Sequence, residues 1–379
     1  MSETVWSDML GQPEAIELLR SAVADRDRQL QHAWLFSGPA GSGRSNLARA
    51  FASALQCDQQ GCGYCQQCRL VSAGIHPDVA AVSTDRVVIT IDEVRELVER
   101  SQLATSLGSY RIVIMEDADR MTERTSNVML RALEEPPANT IWLLCAPSSA
   151  DMLPTIRSRV RNVVLRLPSV DEVTDLLVRE GADPKLARIC AAEAQCHVGM
   201  ARRLATSQDA RARRAETLQL ALGIQNLSQA MVAAERLLGI AKRDAEASSR
   251  ERDQQEAEAL RAAFGLGQAE RIPSELKSQF RDLEANQKRR ATRALRDGID
   301  RILTDIESVF RDIAALQLGS NAALVNQSIE PELKQRASQT RIVETLEVTA
   351  EISLARTRLD GNVRDLLLLE SLATYLIVR

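Results

Sequence analysis

The run Ser37-Gly38-Pro39-Ala40-Gly41-Ser42-Gly43-Arg44-Ser45 has the spacing of a phosphate-binding loop, G-x-x-x-x-G-K-[ST], with arginine at the lysine position. Glycines at 38, 41 and 43 let backbone amides turn inward onto phosphate oxygens, and a helix opening behind them adds its positive dipole end. Arginine is planar, forked and bulkier than lysine, so Arg44 keeps the charge and changes its geometry. ATP with Mg2+ stays a candidate ligand, with catalysis in doubt. A second run, Arg111-Ile-Val-Ile-Met-Glu116-Asp117-Ala-Asp119, closes an apolar stretch with carboxylates. That strand-end position is where a P-loop enzyme holds magnesium and polarises water. The usual order is Asp then Glu. Glu116 followed by Asp117 exchanges the short and long side chains, which alters both reach to metal and water activation. Taken alone, an acidic strand end can equally begin a loop.

Four of the seven cysteines form Cys57-x4-Cys62-x2-Cys65-x2-Cys68, with Gly61 and Gly63 permitting tight turns. Four thiolates at that spacing can close a tetrahedral shell around Zn2+ and leave no open position, so the site should be structural. The alternative is a redox-active thiol set. Cys145, Cys190 and Cys196 sit in apolar or Ala-rich surroundings and are expected to be small buried hydrophobes.

These groups need elements to position them. Short apolar runs alternate with helical patterns over residues 1–168, which predicts an α/β, doubly wound parallel sheet. Candidate strands are Ala33–Ser37, Val79–Ser83, Arg111–Met115, Thr140–Ala146 and Val163–Leu167. Candidate helices are Pro13–Ala24, Ser45–Leu55, Ile91–Ser101 and Ser126–Glu135, the last stopped by Pro136-Pro137. Residues 169–208 read as a small helical lid, with Val170–Glu180, Pro184–Gln195 and a helix opening near Cys196. Residues 209–379 form an all-α block. Within it, about 242–300 is dense in mixed charge and interrupted by Gly265, Gly267 and Pro273, as in a solvated helical hairpin or a partner-binding arm. The segment Val363–Ile377 is too apolar for a lone exposed helix and should pack in a bundle or against neighbouring subunits.

The bulk properties narrow the classes. With 379 residues there is room for two or three domains, and aromatics at 3% favour helix over β-sandwich. A formal charge of −4 argues against a protein that grips DNA alone through a broad basic face. No apolar run is long enough for a membrane span and the N-terminus lacks a secretion signal, so the expected location is cytoplasmic, with no membrane partner.

One further set of residues is specific in combination. Leu133-Glu134-Glu135-Pro136-Pro137 is followed by the strand at 140–146 and then by Leu153-Pro154-Thr155-Ile156-Arg157-Ser158-Arg159. With the four-cysteine insert (57–68), His76-Pro77-Asp78, Trp6-x4-Gly11-Gln12 and Gly199-Met-Ala-Arg202, the chain resembles the delta-prime and gamma/tau subunits of bacterial DNA polymerase III clamp loaders, members of the AAA+ family. The likeness is strong over residues 1–208 and loose beyond; the charged segment exceeds the family pattern. It implies an AAA+ nucleotide-binding-like domain, a helical lid and a C-terminal collar. It implies a place in the polymerase III holoenzyme beside the gamma/tau and delta subunits, the sliding clamp and primer-template DNA, at the replisome. In that family Ser158-Arg159 would present an arginine finger to ATP on the adjacent subunit, and Arg202 would approach the γ-phosphate of the chain's own nucleotide. Gly38, Gly41, Gly43, Arg44, Ser45, Glu116 and Asp117 would form the nucleotide site. Arg157, Arg161 and Arg166 nearby make a plain basic surface the competing account, with Arg161→Ala expected to be close to neutral as a surface-charge control.

Three readings compete. The first is a delta-prime stator that supplies Arg159 in trans and has weak or absent ATPase activity of its own. The second is the gamma/tau motor, disfavoured by Arg44, the inverted acids and Pro147-Ser148 where the motors carry a threonine pair. The third is a zinc-containing, non-catalytic interaction protein on a degenerate AAA+ fold. The first is preferred.

Overall fold

The computed structural model describes residues 4–7, 9–82, 88–263, 273, 277–361 and 363–377. The chain divides into two compact units, residues 1–206 and 207–379. The helices at 170–206, expected as a lid, fall in the first unit.

The first unit is built on a five-stranded parallel sheet: β1 (Ala33–Ser37), β2 (Val79–Val82), β3 (Arg111–Met115), β4 (Thr140–Ala146) and β5 (Arg161–Val164), in the order β2-β3-β4-β1-β5. Every residue of β1 and β4 is buried. Both faces of a parallel sheet must be covered, and the alternation along β1 does this. Trp34 and Phe36 pack on one side with Leu47 and Phe51, while Ala33 and Leu35 pack on the other with Met129 and Trp142's neighbour Leu144. Helices flank the sheet at Pro13–Ala24, Arg44–Gln56, Ile91–Ser101 and Glu123–Glu134. Because β1 sits between two strands that follow it late in sequence, the loop after it opens at the carboxyl edge of the sheet, where open α/β folds place ligands.

Boundaries moved where local hydrogen bonding outweighs composition. The helix expected from Ser126 starts at Glu123, because the Thr122 side chain caps it by accepting from the Thr125 amide. The helices expected over Ser45–Leu55, Val170–Glu180 and Pro184–Gln195 run Arg44–Gln56, Val170–Arg179 and Pro184–Glu193. The last strand runs Arg161–Val164, not Val163–Leu167. Its partner β1 ends at Ser37, whose carbonyl takes the Leu165 amide, and beyond that point Arg166 turns to Gln12. Ser83 of the expected second strand lies outside the described residues. Cys145 and Cys190 are buried, but Cys196 is partly exposed, since a left-handed turn at Gln195 and Cys196 (φ 49° and 64°) lifts it from the core.

Asp78 ties the far edge of the sheet to the loop at 102–110. It is fully buried and accepts from the amides of Ser106, Leu107 and Gly108 and from the Ser106 hydroxyl, with Arg111 at 3.2 Å. Burial alone would raise its carboxyl, but the Gly108, Leu107 and Ser106 donors outweigh it and bring it down to about 2. A depressed carboxylate stabilises the fold above its unfolded value and loses that contribution as pH falls toward its folded value. Asp78 should therefore contribute about 2 kcal/mol at neutral pH that fades between roughly pH 4 and pH 2. Melting of Asp78→Asn against pH checks this: the gap from wild type should narrow through that window.

The second unit is helical: Gln208–Gly223, Leu227–Ala263, Lys277–Gln317, Glu330–Gln339, Ile342–Asp360 and Asp365–Tyr375. Its core joins Leu218, Leu237, Ile306, Phe310, Ile352, Leu368 and Leu372, so the apolar C-terminal segment packs inside the bundle. Buried polar groups lock the turn after residue 317. Asp312 accepts from the amides of Val325 and Asn326, and Asn326 accepts from Arg214. Of the charged stretch at about 242–300, residues 242–263 and 277–300 belong to the two long helices. Gly265 and Gly267, named above as interruptions, lie outside the described residues. Among the described side chains, Ile299 and Ala245 are core residues and Phe280 is buried further out.

Candidate functional site

The four cysteines converge. Their sulfur atoms all lie within 4.8 Å of one another, and the Cys57 Sγ–Cys62 Sγ and Cys57 Sγ–Cys65 Sγ distances are both 3.7 Å. Four sulfurs about 2.3 Å from a tetrahedral ion stand about 3.8 Å apart, so the thiols fit a metal shell. Backbone amides of Cys65 and Cys68 point at the sulfurs of Cys62 and Cys65, each at 3.4 Å, as suits anionic sulfur. Cys57, Cys62 and Cys68 are buried and Cys65 partly so. Gly61 is required here: its φ is +101°, and a Cβ would lie 2.6 Å from Val5.

The phosphate-loop residues sit between β1 and the helix Arg44–Gln56. Gly38 donates to the Pro147 carbonyl at 3.1 Å, and Gln12 holds the loop by donating to the carbonyls of Ser42 and Arg166 at 3.3 and 2.6 Å. That is the physical content of the Gly11-Gln12 pair in the sequence. Three polar atoms around the loop are buried without a hydrogen-bond partner: Ser42 Oγ, Arg44 Nη1 and Asp119 Oδ1. Burial, and then the Glu116 charge, push the Cys145 thiol up to about 12, which keeps it protonated and a poor nucleophile.

At the end of β3, Glu116 pairs with Arg49 of the loop helix at 2.8 Å and is 16% exposed. Asp117 adopts a left-handed conformation, φ 54°, and starts the tight turn Ala118–Arg120. Burial, helped by the Asp117 charge, raises the Asp119 carboxyl. The expected acids thus stand beside the loop, with Glu116 already neutralised by an arginine.

Arg159 lies elsewhere. It pairs with Glu134 at 2.6 Å and donates to the Thr155 carbonyl and to Ser158 Oγ at 2.7 and 3.1 Å, with its side chain 35% exposed. The two motifs Leu133–Pro137 and Leu153–Arg159 are thereby joined through one ion pair. The neighbouring arginines divide. Arg157 is exposed, Arg166 is paired with Glu172, and Arg161 lies 5.0 Å over the Trp34 ring and donates to Gln29. Arg161 is therefore unsuited as a neutral surface-charge control, because it covers a core aromatic ring.

The comparisons bear on this first unit. A family model described as "DNA polymerase III, delta subunit" matches residues 11–169. The delta-prime subunit of Pseudomonas aeruginosa is 35% identical over 157 residues, 40% of this chain and 48% of that protein. Residues 11–169 are thus similar to DNA polymerase III delta-type and delta-prime subunits. The Bacillus subtilis delta-prime subunit is 31% identical over 191 residues, 49% of this chain and 57% of that one. The Mycobacterium bovis gamma/tau subunit is 32% identical over 179 residues, 46% and 31% of the two chains. The chain thus spans about half the length of the delta-prime relatives it matches.

Arg202 is held by Glu180, with Nε 2.9 Å from Oε1. Three residues around the site were not anticipated. Arg49 engages Glu116 across 67 positions of chain, which no local pattern signals. Glu134 was visible as part of a motif, without its partner. His197 accepts from the Met200 amide through Nδ1 and packs on the loop, where a Cβ at Gly41 would lie 2.9 Å from its ring.

Proposed function

We propose that this chain is the delta-prime stator of a bacterial clamp loader, working in the cytoplasm at the replisome with gamma/tau and delta subunits. The observation that carries this reading is the setting of Arg159, whose partners are Glu134, Thr155 and Ser158 and include no residue of the chain's own phosphate loop. A guanidinium that is part-exposed and held by one exposed ion pair costs at most about 1 kcal/mol to redirect, so it is available to a neighbouring subunit. Delivered to the transferring phosphate of ATP bound there, its planar fork stabilises the charge that develops on the phosphate oxygens. Ser158 positions it by accepting one N–H. ATP-loaded neighbours would match primer-template DNA and hold the sliding clamp open, and hydrolysis would release the clamp onto DNA.

Cys57, Cys62, Cys65 and Cys68 would hold one structural Zn2+, which crosslinks the insert and leaves no site for chemistry. The phosphate loop is a holding site without hydrolytic competence, since Arg44 and the Arg49–Glu116 pair replace the parts that position metal and water. Reconstitution tests the whole reading. The chain should assemble with gamma/tau and delta subunits, and alone it should turn over ATP at background rate. Arg44→Lys should not restore hydrolysis, because Glu116 stays paired. Steady turnover by the isolated chain, abolished by Arg44→Ala, would support the motor reading instead.

A further inference from the structure

The acid that would hold a divalent ion beside the phosphate loop is engaged with a protein partner. A P-loop enzyme draws Mg2+ to the hydroxyl that ends the loop and to an acid at the tip of a neighbouring strand. Here the acid, Glu116, is paired with Arg49 at 2.8 Å. A metal ion would have to displace the Arg49 guanidinium where Arg44 already adds positive charge. Of the remaining acids, Asp119 is raised by burial toward its neutral form, with Asp117 adding to the rise and Arg120 and Arg44 opposing it. Magnesium does not fit these residues as they stand.

An anion does fit. Ser42 is 4% exposed and its Oγ has no hydrogen-bond partner; Arg44 Nη1 is buried and likewise unpartnered. Leaving buried donors without partners is unfavourable, and a ligand that accepts from them removes that cost. The Ser42 hydroxyl points into the loop, because a Cβ on Gly38 would stand 2.8 Å from it. The loop helix, Arg44–Gln56, begins at this point and adds its dipole.

We propose that the loop holds a nucleoside di- or triphosphate without a divalent metal, with Arg44 binding the phosphates and Arg49 keeping metal off Glu116. This rests on the reading of residues 38–45 as a nucleotide-holding site. The arginine at 44 and the Arg49–Glu116 pair then form one arrangement: one cation substitutes for the metal's charge, and the other occupies the metal's carboxylate. Nucleotide bound this way acts as a structural ligand of the first unit.

Calorimetric titration of the full chain with ADP and with ATP, in Mg2+ and in EDTA, tests this. The dissociation constants in the two media should agree within about twofold, where a metal bridging the phosphates would make chelation weaken binding by about tenfold or more. Arg44→Ala should abolish binding. Arg49→Gln, at an exposed position and with an unchanged melting curve as the check on folding, should make Mg2+ tighten binding by about five- to tenfold. Tighter binding in Mg2+ by the unaltered chain, or an Arg49→Gln chain still indifferent to metal, overturns the inference and leaves the holding site standing. Absence of binding in both media overturns the holding site itself.

Discussion

Replacing Arg159 by alanine should leave this chain folded and able to assemble, yet cut DNA- and clamp-stimulated ATP turnover at the neighbouring site that the residue faces. Arginine fingers are worth about 10³–10⁵-fold at the site they serve. The total turnover of the complex should fall by that site's share, and by more where sites fire in concert. Stability should hardly change, because what is lost in the free chain is an exposed pair with Glu134 and two surface hydrogen bonds. Arg159→Lys should rescue poorly, since an ammonium cannot span two phosphate oxygens as the fork does. Glu134→Ala should leave turnover within about twofold, because it frees the finger without removing it. Arg157→Ala is the charge control. It is exposed, whereas Arg161 lies over Trp34 and its loss would disturb the core. Equal loss from Arg159→Ala and Arg157→Ala, or no loss from either, would put a plain basic surface in place of the finger.

The sheet was legible because parallel strands buried on both faces leave uninterrupted apolar runs. Ala33–Ser37, Arg111–Met115 and Thr140–Ala146 could be delimited from composition alone. The fifth strand could not, since Val163, Leu165 and Leu167 alternate as a strand does, and its end is set by where Ser37 stops offering a partner. The cysteine cluster was legible because its ligands lie within one short stretch of chain. The state of the nucleotide site was only half legible. Arg44 could be read in place, but the pairing of Glu116 with Arg49 is a tertiary contact between a helix face and a strand end. His197 was hidden for the same reason: only the folded chain brings its ring to Gly41.

Metal analysis of the purified chain should give about one zinc per molecule, and removing that metal should unfold the first unit's edge before its sheet. The expected cost of Cys65→Ser is on the order of 5 kcal/mol, below the ~10–16 kcal/mol of isolated zinc-finger peptides because this unit carries a large core of its own. The loss should spread along identifiable bonds. Gln67, between two of the cysteines, binds His76 Nε2 at 2.6 Å and donates to the Leu107 carbonyl at 3.3 Å. His76 in turn accepts from the Asp78 amide, and Asp78 holds the loop at 106–108. On the other side, the Val5 amide donates to the Gly61 carbonyl at 3.1 Å, which anchors the segment carrying the buried Trp6. Chelation should therefore raise amide hydrogen exchange first at residues 4–7, 57–76 and 102–110, while β1 and β4 stay protected. Asp78→Asn should raise exchange at 106–108 and spare the cysteine cluster, which separates the two ends of the chain of contacts. A metal-free chain that keeps its native melting temperature and exchange pattern would remove zinc from the account and leave the four thiols as a reduced, metal-independent cluster.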